Sequence, residues 1–327
     1  MRYGLLSGCL WGLDTVILGI ALAMAPYLGS PETAVLASLA GAFLHDAFCA
    51  VWLFAYMGGK RRLKDTLAAL KTRSGKAVAA AALLGGPLGM SGYVFAIGNI
   101  GAGYTAIISA FYPAFGSLMA VLFLKEKMSL KQVVALLAAL AGVCVMGYAA
   151  AGSDAIGNPI IGVAGALVCL VGWGSEAVIC AWGMRDDAVD NETALHIRQT
   201  TSGLTYLVVV APVSGALGFA ARAVPTPATG VIALAALAGT ASYLFYYKAI
   251  GTIGASRGMA LNISYSAWAV VFALVLLRTV PSPLQVGCCI VILTGTVLAA
   301  TPDWRDLRPL RGRGRTDAGA TSTTIEA

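Results

Sequence analysis

The sequence predicts an all-α polytopic membrane protein: ten transmembrane helices arranged as two inverted five-helix repeats. Three observations carry this reading. Of 327 residues, 58% are apolar and only 11% are Asp, Glu, Lys or Arg, against about 25% charge in a soluble globular domain. The apolar residues gather into runs long enough to cross a ~30 Å hydrocarbon layer at about 20 residues per helix. The second half of the chain also repeats the first.

Cutting at charge, Pro and Gly places spans near 4–23, 33–57, 78–97, 102–124, 130–149, 159–184, 193–217, 228–249, 254–277 and 284–300. Pro26, Pro31, Pro159, Pro225, Pro227, Pro281 and Pro283 stand at or close to the cuts. Residues 1–23 have the outline of a signal peptide, but Arg2 is nearly its whole basic region and Asp14 interrupts the apolar run. They read as a retained first helix. Beyond Pro302 the composition turns polar and rich in Arg, Gly and Thr, so 303–327 reads as a disordered cytoplasmic tail. The two repeats then occupy 1–150 and 151–302.

The formal charge of +7 is not spread over a face that could track phosphates, which argues against a nucleic-acid partner. Basic residues cluster between Lys60 and Lys76, between Arg305 and Arg315, and in short gaps such as Lys125, Lys127, Lys131 and Arg185. With the N-terminus inside, every Lys and Arg except Arg198, Arg222 and Arg278 falls on the inner side. Both termini are therefore expected in the cytoplasm of a bacterium, with the spans in its inner membrane. The Arg-rich tail is expected to meet anionic lipid.

The halves align without a gap over some fifty residues at an offset of 153. Ala96-Ile97-Gly98-Asn99-Ile100-Gly101-Ala102 meets Ala249-Ile250-Gly251-Thr252-Ile253-Gly254-Ala255, and Tyr93, Tyr112, Ser129, Gln132 and Gly142 meet Tyr246, Tyr265, Ser282, Gln285 and Gly295. At an offset of 162, Trp11-Gly12-Leu13-Asp14 matches Trp173-Gly174-Ser175-Glu176. An odd number of spans per half forces the second half to cross in the opposite sense, the plan on which many transporters build a midplane site.

Carboxylates within apolar runs cost several kcal/mol unless paired, hydrated or protonated. Glu176, in the interior of the sixth span, is the strongest candidate, either for substrate or coupling or for an interhelical pair with Arg198, His45 or His196. Asp14 in the first span has the same two readings. The ladder Gly4, Gly8, Gly12 beside it reads as a packing seam. His45-Asp46 in the second span falls at offset 153 on Arg198-Gln199 in the seventh. Asp14, His45, Asp46 and Arg198 fit either a proton relay, since His titrates near neutrality, or a charge-balancing network in which Asp46 pairs with Arg198.

The aromatics suggest the substrate. Tyr243, Tyr246 and Tyr247 form one stripe of the eighth span; Tyr112 precedes Pro113 in the fourth, and Asn262, Tyr265 and Trp268 lie in the ninth. Tyr104 and Tyr247, near span ends, are expected in the interfacial belt. Aromatic faces with an acidic group suit an organic cation, because quaternary ammonium donates no hydrogen bond and is recognised by cation–π contact. The residues singled out for substrate are Trp11, Tyr112, Trp173, Glu176, Tyr243, Tyr246, Asn262 and Tyr265.

The two five-span halves, with Tyr112-Pro113 and Phe123-Leu124-Lys125-Glu126-Lys127 closing the fourth span, resemble the drug/metabolite transporter superfamily with two EamA-type domains. Gly172-Trp173-Gly174-Ser175-Glu176, His196-Ile197-Arg198-Gln199 and Ser242-Tyr243-Leu244-Phe245-Tyr246-Tyr247-Lys248 are most similar to bacterial choline permeases of the LicB type. That resemblance implies a central aromatic cage for choline, with Trp173 and one of Tyr243 or Tyr246 in it and Trp11 a candidate third, and uptake coupled to protons. It implies alternating-access uptake of choline or a related organic cation; the alternative is an exporter of amino acids, drugs or other metabolites. An enzyme is not expected: no HExxH, GxSxG or phosphate-loop motif stands in a suitable context. No cofactor or metal is expected either, because the seven cysteines lie in apolar runs without zinc-type spacing. The protein is expected as a monomer or homodimer.

Overall fold

The computed structural model describes residues 1–28, 31–150 and 158–304. Arg305–Arg315 and the rest of the expected tail beyond Trp304 lie outside them. Among the described residues nine helices are long and apolar enough to cross a membrane. They are the first (Arg2–Leu22), second (Val35–Gly59), third (Arg73–Gly101), fourth (Gly103–Leu124), fifth (Leu130–Ala149), sixth (Pro159–Gly183), eighth (Pro227–Ile253), ninth (Ala255–Leu277) and tenth (Pro283–Ala300) spans. The seventh is a bent pair, Asn191–Ser214 and Ala216–Ala223, turned by 111°. A continuous helix was expected over 193–217, but Gly215 takes φ +77° and so breaks it. The third span begins at Arg73 and not near 78, because the Thr72 hydroxyl caps it by accepting the Gly75 N–H at 3.0 Å.

Large apolar side chains such as Leu122, Phe123, Ile160 and Val213 stay exposed, as expected for helices whose outer solvent is lipid. Close packing falls to small residues. A Cβ on Gly4, Gly8 or Gly12 would meet Leu261, Ser264 or Trp268 of the ninth span, so the glycine ladder is the seam between the first and ninth spans.

Contacts between spans come in symmetry-related sets. The first span lies along the eighth and ninth, and the sixth lies along the third and fourth. The second meets the eighth as the seventh meets the third; the second also meets the seventh, and the fifth meets the tenth. The 153-residue offset reaches the backbone itself: Gly101 and Gly254 take φ +78° and +91°, and Lys125 and Arg278 take +57° and +59°. Tyr112 and Tyr265 each start the second segment of a broken span. The protein is thus an all-α, multi-pass membrane protein with the two-times-five inverted-repeat plan.

Candidate substrate-binding cavity

A small cavity of about 70 Å³ lies between the halves. It is lined by Trp11 of the first span, Tyr112 of the fourth, Trp173, Glu176 and Ala177 of the sixth, Tyr243, Tyr246 and Tyr247 of the eighth, and Asn262 and Tyr265 of the ninth. The eight residues singled out for substrate are thereby brought together. Tyr247 corrects an expectation: it is not a belt residue but a buried cavity wall. Its place four residues after Tyr243, on the same helix stripe, was the signal. Tyr104 is exposed, as a belt residue would be. Ala177 carried no signal.

The rings meet edge to face and offset. Trp11 and Tyr243 are 4.8 Å apart between centroids at 89°, and Tyr112 and Trp173 are 5.7 Å apart at 88°. Such T-shaped pairs are favoured by the ring quadrupole. Tyr93 stacks behind Trp173 at 5.6 Å; its repeat partner Tyr246 in the wall was the clue to it. Trp173 is held from a second side, its Nε1 donating to the Gly85 carbonyl at 3.0 Å. That carbonyl belongs to a wide turn of the third span over Leu84–Leu88, around Pro87, and such turns turn backbone groups toward partners outside the helix. On the far wall Tyr112 donates to Asn262 Oδ1 at 2.9 Å, and Asn262 Nδ2 donates to Ser7 Oγ at 2.9 Å.

The charged residues divide into two groups, both buried. At the cavity, Arg198 Nε donates to Glu176 Oε1 at 2.6 Å. The guanidinium also bonds Gln199 Oε1 and lies 4.8 Å from the Tyr243 ring centroid. Of the three partners open to Glu176, the structure selects Arg198. The expected Asp46–Arg198 pair is looser, at 3.8 Å, and Asp46 instead accepts from the Ser202 hydroxyl. His196 faces the Thr66 hydroxyl at 2.8 Å.

Away from the cavity, His45 Nε2 sits 2.9 Å from Asp14 Oδ1, with Cys49 Sγ 3.8 Å from the other ring nitrogen. Gly239 of the eighth span makes room: a Cβ there would lie 2.9 Å from Asp14 Oδ2. Asp14 and His45 do not line the cavity. With all five groups ionised, three carboxylates face one guanidinium and one imidazolium, leaving one negative charge uncompensated. No cluster of three or more His, Cys, Asp or Glu that could hold a metal exists among the described residues.

The chain matches the EamA-like transporter family twice, over residues 2–148 and 160–301. It is 29% identical over 222 residues to Protein LicB of Haemophilus influenzae, covering 66% of this chain and 72% of that one. A crystal structure that is 16% identical superposes with a TM-score of 0.64, covering 91% of this chain and 96% of the other; at that identity the likeness is one of fold. Two family-sized halves, a shared fold and a cavity between them agree: this chain belongs to the EamA-like transporter family.

Proposed function

We propose that the protein takes up choline or a closely related quaternary ammonium cation by alternating access, in a bacterial inner membrane with both termini cytoplasmic. The observation that carries this reading is the composition of the cavity wall: seven aromatic residues beside one carboxylate. Trp173 Nε1, the Tyr112 hydroxyl and both ends of the Asn262 amide are engaged with protein partners. What these groups offer a ligand is mostly ring face. A cation that needs no hydrogen bond gains about 0.5–2 kcal/mol per ring contact in such a box, whereas a polar anion would leave its acceptors unmet.

The Arg198 guanidinium already rests on the Tyr243 ring, an internal precedent for a cation on this wall. Glu176 and Asp46 both face the Arg198 guanidinium, so with its carboxylates ionised the group at the cavity is short of one positive charge, and Glu176 acts on substrate through that field. The membrane potential, worth about 2.3 kcal/mol per charge per 100 mV, favours inward movement of a monovalent cation. Coupling to a proton is compatible with these residues and not demanded by them. The halves 1–150 and 151–302 are the bodies that move against each other.

Labelled choline uptake into proteoliposomes, competed by tetramethylammonium, primary amines and amino acids, tests the reading. Saturable uptake displaced by quaternary amines is expected. Uptake displaced by neutral amino acids alone would move the assignment to the exporter class.

A further inference from the structure

Both halves end their fourth helix in the same turn. Lys125 and Arg278 take φ +57° and +59°. The next residue in each, Glu126 or Thr279, returns its N–H to Ala120 O at 3.2 Å or Ala273 O at 3.3 Å. Backbone and hydrogen bond are repeated, but the side chain is not. Glu126 reaches across to the other half and accepts the N–H groups of Ala255 (2.7 Å) and Ser256 (3.0 Å). These are the first amides of the helix Ala255–Asn262, where a carboxylate also meets the positive end of the helix dipole. The far end of that helix is Asn262, in the cavity wall. Thr279 is exposed, and its hydroxyl makes no hydrogen bond among the described residues.

Short links make the spans alternate in direction, so Glu126, Gly254 and both ends of the ten-span bundle share one end of the molecule. Other ties between the halves gather at that end. Arg185 donates to Leu124 O at 2.9 Å, and Arg62 pairs with Asp190 (2.8 Å) and Glu192 (2.7 Å). At the opposite end, no ion pair joins the halves among the described residues; the ties there are neutral, among them the Asn158 N–H to Asn99 Oδ1 bond at 2.9 Å and the Tyr27–Phe219 ring contact at 5.4 Å.

We propose that Glu126 is the latch that holds the terminal end of the cavity shut, and that Thr279 marks the matching place where the opposite end is left without one. The inference rests on alternating access but not on the identity of the substrate. Two charge-assisted hydrogen bonds between moving bodies bias the equilibrium toward this closure, and a protein with equal carboxylates at both ends would lose that bias.

The test is hydrogen–deuterium exchange of the full chain in lipid nanodiscs, without substrate, comparing wild type, Glu126→Ala and Thr279→Glu. Glu126→Ala is expected to speed exchange about tenfold in peptides over 253–258, the scale of losing charged hydrogen bonds, while the opposite end becomes better protected. Thr279→Glu is expected to slow exchange over 101–105 and to speed it over 253–258, where nothing was changed. This reciprocity distinguishes a latch from a local cap. Thr279→Glu without an effect at 253–258 would overturn the proposal, as would Glu126→Ala raising exchange uniformly along the chain. Should Glu126→Ala fail to fold, the Thr279→Glu arm decides alone. Reciprocal exchange in a protein that does not carry choline would keep the latch and discard the substrate.

Discussion

The two halves each bury an acid on their first helix against a base on their second, and the two pairs are not alike. In the first half Asp14 meets His45 at 2.9 Å, away from the cavity; in the second, Glu176 meets Arg198 at 2.6 Å, on its wall. Asp14 and His45 map onto Glu176 and Arg198 through the same offsets that align the rest of the repeats. Duplication supplied two equivalent buried pairs. One holds a guanidinium, which stays charged, while the other holds an imidazole, a group that can exist neutral or charged. What differs is whether the pair can be discharged without breaking it.

The largest effect separates the pairs by removing one partner. Arg198→Met strands Glu176 as a buried charge and is expected to cost about 3–5 kcal/mol and to abolish transport; thermal unfolding in detergent measures the first. The double change Glu176→Gln with Arg198→Met should recover most of the stability without recovering transport. Asp14→Asn should cost less than Arg198→Met, because a neutral imidazole is available to His45. Equal losses would erase the distinction.

Next come the glycines that make room for each pair. A Cβ on Gly85 would occupy the space of the Glu176 carboxylate, whereas one on Gly239 would sit 2.9 Å from Asp14 Oδ2 and 3.3 Å from His45 Cε1. Gly85→Ala is expected to destabilise by about 1–3 kcal/mol, the scale of overpacking, and to reduce transport; Gly239→Ala should do less of both. Exchanging the bases sharpens the comparison further. His45→Arg should remove the pH dependence that the imidazole gives to transport, and Arg198→His should introduce one; unchanged profiles in both would make the first pair purely structural. The smallest effect is expected from Tyr112→Phe, which removes the bond to Asn262 at a cost of about 1 kcal/mol, read as a modest rise in KM with kcat preserved.

Much of the fold was legible because a bilayer leaves few choices: long apolar runs must be helices, and an odd repeat must invert. The AIGxIGA match was legible down to backbone angles, since Gly101 and Gly254 both adopt φ values that only glycine takes readily. Residues such as Trp173 and Glu176 stood out because polar and aromatic groups inside an apolar helix need a reason. Partners were harder. Helix rotation decides which base meets Glu176, and a sequence does not display rotation, so Arg198, His45 and His196 all stood open; Arg198 meets Glu176 at 2.6 Å and Asp46 at 3.8 Å. The bend at Gly215 and the reach of Glu126 across the interface depend on tertiary packing, and Tyr247 was read from its nearness to a span end when its helix face mattered more.

Equilibrium binding of choline to the purified full chain, wild type against Trp173→Leu, bears most directly on the claim that this aromatic cavity recognises an organic cation. Saturable binding that weakens about tenfold on loss of the indole, with primary amines affected less, is the predicted result. Choline binding of unchanged strength in Trp173→Leu, in protein that melts like wild type, would contradict it.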